Sequence, residues 1–210
     1  MDISRVDIHP DNYGGINRGR RYIILHANGA STESSINWFK DPDARVSYHY
    51  LVTQDGVIFQ FVDEGKRAWH AGVSRWQDDS DLNDLSVGIA VESVDGTESD
   101  LTALQINTLR TLIIDIAERH GIPTAHVLAH KEVSPGRKVD PIHINMPEMR
   151  KSLDGIIDAP HRVGTLVLHG FGDLTRRGQS VVLRGDMVYR VRGGKLDVRL
   201  EGGGDGWQGD

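Results

Sequence analysis

Short apolar runs, separated by polar segments that contain glycine, occupy the first two thirds of the chain. Runs of this length and composition predict buried β-strands. They are Tyr22–Leu25, Tyr48–Val52, Val57–Val62, Val87–Val91 and Val127–Ala129. The sequence Gln54-Asp55-Gly56 lies between the second and third runs, and Asp-Gly in that position predicts a β-hairpin.

Two helices are predicted between these strands. The longer one has an apolar face at helical spacing, and its apolar residues are Leu109, Leu112, Ile113, Ile116 and Ala117. Thr102, with Gln105 three positions later, predicts a capping box at its start, and Gly121 followed by Pro123 predicts its end. A shorter helix is expected over Ser34–Phe39. Strands that alternate with helices indicate an α/β protein.

The pattern changes after about His161, where only short strands are predicted. They cover Val163–His169, Val181–Arg184, Met187–Arg192 and Lys195–Leu200, with hairpin turns at Gly185-Asp186 and Gly193-Gly194. Residues 154–162 resemble a linker. We therefore expect one domain over residues 1–155 and a small all-β segment over residues 162–210, whose core is too small to stand alone.

Composition excludes several classes of protein. The 210 residues carry a net charge of −6, which argues against a nucleic-acid binder. The absence of cysteine excludes disulfides and thiolate ligands, so any metal must be held by histidine and carboxylate. No apolar run is long enough to insert in a membrane, and the first residues lack the features of a secretory signal. We expect a cytoplasmic protein, or one that leaves the cytoplasm without a cleaved leader.

The loop HKEVSPGRKVDP, from His130 to Pro141, contains the most informative polar residues. His130 and the distant His26 each follow an apolar strand, where α/β sheets place their sites. With Asp140 they form a ligand set that suits zinc and leaves a fourth position for water. Lys138 lies two residues before the aspartate and could stabilise an oxyanion. Ten histidines allow many such triplets, so this argument is not specific by itself.

Several motifs in order make the argument specific. They are IILHANGA (23–30), VSYHYLVTQDG (46–56), AWHAG (68–72), LNDLSVGIAVE (82–92) and AHKEVSPGRKVDP (129–141). Over roughly residues 20–145 the chain resembles the type 2 family of zinc-dependent N-acetylmuramoyl-L-alanine amidases, which includes phage lysozymes and peptidoglycan recognition proteins.

The resemblance implies a mixed β-sheet flanked by helices, with Zn²⁺ on His26, His130 and Asp140. It also implies hydrolysis of the amide between N-acetylmuramic acid and L-alanine, assisted by Lys138 and Tyr48. The glutamate that serves as base in the recycling amidases of the family is replaced by Ala90. Glu92, on the same face of a strand, is an alternative base.

Tyr48 together with Ala90 resembles the pattern of the phage enzymes, so we expect a bacteriolytic endolysin that degrades the cell wall. The alternatives are a cytoplasmic amidase that recycles muropeptides and a peptidoglycan-binding protein without activity. The expected partners are peptidoglycan or muropeptides, with Trp69 and His70 contacting the substrate. The C-terminal β segment is a candidate for attachment to the wall.

Overall fold

The computed structural model describes residues 2–93, 101–154 and 156–157, together with the backbone of five strands between residues 165 and 200. The chain divides into two compact units, Met1–Asp158 and Ala159–Asp210. The strands of the first unit are β1 (Ile3–Arg5), β2 (Tyr13–Ile16), β3 (Tyr22–Ala27), β4 (Tyr50–Val52), β5 (Ile58–Gln60), β6 (Lys66–Ala68), β7 (Arg75–Trp76), β8 (Asp79–Ser80), β9 (Ser86–Val91) and β10 (Val127–Ala129). Its α-helices are α1 (Thr32–Lys40), α2 (Ala103–His120), α3 (His130–Val133) and α4 (Met146–Leu153).

Six of these strands form a central mixed sheet in the order β1-β5-β4-β9-β3-β10. The pairs β1–β5, β4–β9, β9–β3 and β3–β10 are parallel, whereas β4 and β5 form the predicted antiparallel hairpin. The predicted α/β class with a mixed sheet is therefore confirmed. Because β3 and β10 are parallel neighbours, their carboxyl ends lie at the same edge of the sheet.

The largest apolar cluster and His26 lie on opposite faces of this sheet. One face packs against α2 and α4 in the largest apolar cluster, which includes Leu25, Ile89 and Ile116, all fully buried. Burying each such side chain stabilises the fold by about 1.5–3 kcal/mol. Side chains alternate along a strand, so His26 projects from the opposite face, where it pairs in register with Ala90. His26 thus lies on the face of the sheet opposite to α2 and α4, on strands that the apolar cluster holds in place.

Helix α2 begins and ends where the sequence predicts. Thr102 is its N-cap and accepts a hydrogen bond from the Gln105 backbone N–H, while Gly121 ends it with a φ of +67°, a conformation that suits glycine. The Gln105 side chain does not complete the predicted capping box. Its amide donates instead to the backbone carbonyls of Val52 and Glu92, which ties the helix to the sheet.

Other boundaries differ from the prediction. Strand β3 continues to Ala27, so His26 lies inside the strand rather than after it. Helix α4 was not predicted, although Asn145 caps it by accepting from the Glu148 backbone N–H and a proline occupies its first turn. None of the helices in the described part of the chain is long and apolar enough to cross a bilayer.

The second unit contains five described strands, all in antiparallel pairs. They are β11 (Thr165–Leu168), β12 (Gly172–Arg176), β13 (Gln179–Leu183), β14 (Met187–Arg192) and β15 (Lys195–Leu200). Strand β14 lies between β11 and β15, and β12 pairs with β13. The predicted pairing of β13 with β14 is therefore wrong, and β12 was missed. The proposed turns at residues 185–186 and 193–194 lie outside the described residues.

Candidate metal centre

Three polar side chains converge at the shared edge of β3 and β10. His26 comes from β3, and His130 is the first residue of α3, directly after β10. The Nδ1 atoms of these two histidines are 3.1 Å apart, and Asp140 Oδ2 lies 3.1 Å from His130 Nδ1 and 3.5 Å from His26 Nδ1. The histidines are buried, whereas the Asp140 side chain is 22% exposed. The cluster therefore opens to solvent on the aspartate side.

A compact loop brings Asp140 back to His130. The backbone N–H groups of Arg137 and Lys138 both donate to the Ser134 carbonyl, and the Lys131 N–H donates to the Asp140 carbonyl. Gly136 has a φ of +77°, which a residue with a side chain rarely adopts. The irregular loop at Pro135-Gly136 thus brings Asp140 back to within hydrogen-bonding distance of His130, ten residues earlier in the sequence.

The hydrogen-bond partner of His130 determines which of its nitrogens carries the proton. Its Nε2 lies 3.3 Å from the Ala71 carbonyl oxygen. A carbonyl can only accept, so Nε2 carries the hydrogen. In the neutral imidazole, Nδ1 is then left with a lone pair that points toward His26 and Asp140.

A longer chain of hydrogen bonds fixes His26 in the same way. The Ser86 hydroxyl donates to the Leu82 carbonyl, so its oxygen accepts from His70 Nε2, 3.3 Å away. The remaining nitrogen of His70, Nδ1, accepts from His26 Nε2 at 3.0 Å. Burial lowers the pKa of His26 to about 4 and that of His70 well below its ordinary value, so both rings are neutral near pH 7. His26 Nδ1 therefore also presents a lone pair.

The three converging atoms are thus all hydrogen-bond acceptors. Two lone pairs and a carboxylate repel one another unless a cation lies between them. A tetrahedral zinc ion with ligands at about 2.0–2.1 Å separates them by roughly 3.3 Å, close to the distances found here. The donor set therefore fits such an ion.

The two predicted catalytic residues differ in their surroundings. The Tyr48 ring centroid is 5.1 Å from that of His26 and 5.7 Å from that of Phe39. Burial, with a smaller contribution from the charge of Asp140, raises the pKa of Tyr48 strongly, so its hydroxyl stays protonated near neutral pH. Lys138 is on the exposed loop, and its positive charge acts on His26. Its ammonium forms no ion pair within the described residues.

The two predicted substrate-binding residues are placed differently from each other. Trp69 is half-buried and lines an open cavity of about 600 Å³ with Arg67 and Asn83, but none of the three clustered residues lines that cavity. His70 is 5% exposed, and its ring nitrogens bond His26 and Ser86. The expected contact of His70 with a peptide does not fit this position, which lies behind a candidate ligand rather than on a surface.

Comparison with known proteins assigns this arrangement to a family. The family model described as N-acetylmuramoyl-L-alanine amidase matches residues 17–143, which is more than half of the chain. The protein belongs to this family. The matched segment contains β3, β9, β10 and all three clustered residues.

Two relatives show how far the similarity extends. The chain is 34% identical to the N-acetylmuramoyl-L-alanine amidase AmiD of Escherichia coli over 135 residues, which are 58% of this chain and 48% of AmiD. It is 38% identical to the 1,6-anhydro-N-acetylmuramyl-L-alanine amidase AmpD of Haemophilus influenzae over 148 residues, 67% of this chain and 77% of AmpD. The chain thus spans about half the length of AmiD.

A solved structure of AmiD supports the same assignment. This structure is a complex with the substrate anhydro-N-acetylmuramic acid-L-Ala-D-γ-Glu-L-Lys. It matches with a TM-score of 0.58 at 30% identity and covers 65% of this chain and 58% of AmiD.

The position at which the recycling amidases of the family carry a glutamate is apolar in this chain. Ala90 is fully buried beside Leu51 and Phe61. Glu92 does not replace the glutamate, because its Oε1 accepts from the Thr32 backbone N–H at 2.7 Å and its Oε2 from the Gln54 N–H at 3.1 Å. Glu92 therefore ties the start of α1 to the hairpin turn, and its proposed role as base is not supported by these contacts.

Proposed function

We propose that this protein is a zinc hydrolase that cleaves the amide between N-acetylmuramic acid and L-alanine. The observation that carries the proposal is that, among the described residues, His26 Nδ1, His130 Nδ1 and Asp140 Oδ2 lie within 3.5 Å of one another. The matched family supplies the reaction class. Zinc, when bound there, supplies a Lewis acid that polarises the scissile carbonyl and lowers the pKa of water.

The protein's own groups have separate tasks in this reaction. Lys138, on the exposed loop two residues before Asp140, brings a positive charge to the cluster, which suits the oxyanion that develops on the carbonyl. Tyr48 keeps its proton, so its hydroxyl orients the attacking water by hydrogen bonding rather than removing its proton. Burial keeps His26 and His70 neutral, and Asp140 supplies the negative charge of the ligand set.

The names of the relatives indicate an anhydromuropeptide as substrate. AmpD is named for a 1,6-anhydro-N-acetylmuramyl substrate, and the AmiD structure contains an anhydromuropeptide. We therefore propose a muropeptide as the primary substrate. The endolysin remains a second candidate, because Ala90 stands where the recycling amidases carry their glutamate. The segment after residue 162 is then a candidate for binding to the intact wall.

One experiment separates these substrates. Zinc-loaded protein is incubated with a soluble anhydromuropeptide and, separately, with purified cell walls, and the products are identified by mass spectrometry. The proposal expects free peptide with an L-alanine N-terminus and an intact sugar, faster from the muropeptide. Chelation should stop the reaction and zinc should restore it. Faster release from walls would favour the endolysin, and tight binding without any released peptide would reject hydrolysis.

A further inference from the structure

Both candidate histidine ligands are oriented by one two-residue segment, His70–Ala71. The His70 ring accepts from His26 Nε2 at 3.0 Å, and the Ala71 carbonyl accepts from His130 Nε2 at 3.3 Å. These are the nitrogens that point away from the cluster. The segment therefore determines that both rings present their Nδ1 lone pairs inward, although it is 44 residues from His26 in sequence.

Asn83 fixes this segment from behind. Its side-chain oxygen accepts from the backbone N–H groups of both His70, at 3.0 Å, and Ala71, at 2.7 Å. Asn83 is 5% exposed and lies in a short 3-10 helix, Leu82–Asp84. One buried amide thus holds the backbone of both residues that contact the histidines.

Ser86 and Gly88, at the start of β9, fix the ring of His70. Ser86 accepts from His70 Nε2 and so leaves Nδ1 free to accept from His26. Gly88 provides the space for the ring, because a Cβ atom at this position would lie 2.5 Å from His70 Cγ. The His70 side chain is therefore defined both in position and in the direction of its hydrogen bonds.

We propose that His70 is a positioning residue, held by Asn83 and Ser86, that sets the metal-binding tautomer of His26. The proposal deepens the zinc function above and rests on it. Partners behind metal-bound histidines typically contribute about 10–100-fold to metal affinity. His70 acts through His26 and does not contact substrate, which accounts for its burial behind the cluster.

The test measures zinc affinity, which does not depend on hydrolysis. In His70→Phe, the ring remains but the acceptor is lost, and we expect zinc to bind 10–100-fold more weakly in competition with a chromophoric chelator. His70→Asn places an acceptor oxygen near the position of Nδ1 and should restore affinity to within about fivefold of the unaltered protein. His126→Phe makes the same change at a histidine whose ring bonds the Arg21 carbonyl and packs against Tyr22, and it should leave zinc affinity unchanged.

A second measurement reports the tautomer directly. Long-range ¹H–¹⁵N spectra of the zinc-loaded protein should show His70 protonated on Nε2 alone, and Ser86→Ala should weaken this preference and lower zinc affinity severalfold. If His70→Phe does not fold, Ser86→Ala carries the test. Wild-type affinity in either variant, or equal losses in His70→Phe and His70→Asn, would overturn the proposal.

The two proposals fail in different ways. If the unaltered protein binds zinc but releases no peptide, the proposed reaction is wrong while the affinity ratios still support the role of His70. If the unaltered protein does not bind zinc, both proposals are overturned.

Discussion

Two partly buried clusters in the described part of the chain pair a histidine with a carboxylate, and they differ in the direction of their hydrogen bonds. In the first, His130 Nδ1 and Asp140 Oδ2 are 3.1 Å apart. In the second, His120 Nε2 lies 2.6 Å from Glu64. Glu64 also accepts from Tyr50 Oη at 2.7 Å and from both terminal nitrogens of Arg119, at 2.7 and 2.9 Å.

The second cluster therefore provides its own positive charge. Arg119 and the hydroxyl of Tyr50 supply donors to both oxygens of the Glu64 carboxylate. The first cluster presents only acceptors, and within the described residues it is the group whose side chains could hold a metal ion. A short distance between histidine and carboxylate is thus common to both, and the direction of the hydrogen bonds distinguishes the candidate metal centre from the structural ion pair.

Among substitutions that distinguish the two clusters, removing the charge of Asp140 should have the largest effect on zinc affinity and amide hydrolysis. Asp140→Asn keeps the shape but replaces a carboxylate with an amide, so the set loses its one negative charge. We expect zinc affinity to fall at least about 100-fold and amide hydrolysis at least about 1000-fold. Chelator competition and peptide release measure the two effects. Asp78→Asn, at an exposed turn, is the matched control, and equal activity in the two variants would show that Asp140 is not a ligand.

Removing the charge of Lys138 should affect the reaction without affecting the metal. Lys138→Met keeps the length of the side chain but cannot stabilise an oxyanion, so we expect kcat to fall about 10²–10³-fold. Zinc affinity should be unchanged or slightly higher, because the charge of Lys138 disfavours a second cation. Lys151→Met, on the exposed surface of α4, is the control. A loss of zinc with an unchanged kcat would contradict the assignment.

The sequence predicts the candidate ligands better than it predicts the residues that orient them. His26, His130 and Asp140 follow from strand ends, a Pro-Gly loop and the order of the motifs, and the structure brings them together. Their role as ligands stays a prediction. The position of His70 behind His26 was missed, because Ser86 and Leu82 decide its proton and neither signals this in sequence. The one available signal was that Gly88 interrupts an apolar strand, which indicates close packing.

The fold was likewise predicted well in some elements and missed in others. Helix α2 has an apolar face and two capping signals, and both its ends were predicted correctly. Strands β1 and β12 were missed because they are short or polar, and their pairing partners decide that they form. The Glu64 cluster was not predicted either. Tyr50, Glu64 and Arg119 lie far apart in sequence, so their contact depends on how α2 packs against the β4–β5 hairpin.

Neutralising Glu64 tests the second cluster and should affect stability rather than zinc. Glu64→Gln leaves Arg119 without its main partner and reduces the acceptors for Tyr50 and His120. Losing one partner of a buried pair costs about 3–5 kcal/mol, and the partial exposure of Arg119 reduces this to about 2–3 kcal/mol. Urea unfolding measures the free energy, with Glu118→Gln, exposed on α2, as control. A changed zinc affinity would show that the clusters are coupled.

The smallest expected effect is the change with pH in the stability that Glu64 contributes. Burial would raise the pKa of Glu64, but hydrogen bonds from Arg119, His120 and Tyr50 outweigh it and lower the pKa to about 2, from an ordinary value of 4.5. Because the folded state favours the charged carboxylate, its stabilisation is complete above pH 4.5 and is lost as the pH falls toward 2. The stability difference between the unaltered protein and Glu64→Gln should therefore shrink by about 1 kcal/mol as the pH falls from 5.5 to 3.5. Taking the difference cancels the titration of the other carboxylates. A difference that grows on acidification would mean that Glu64 is protonated in the folded protein, and the second cluster would then lack the internal charge balance that distinguishes it from the first.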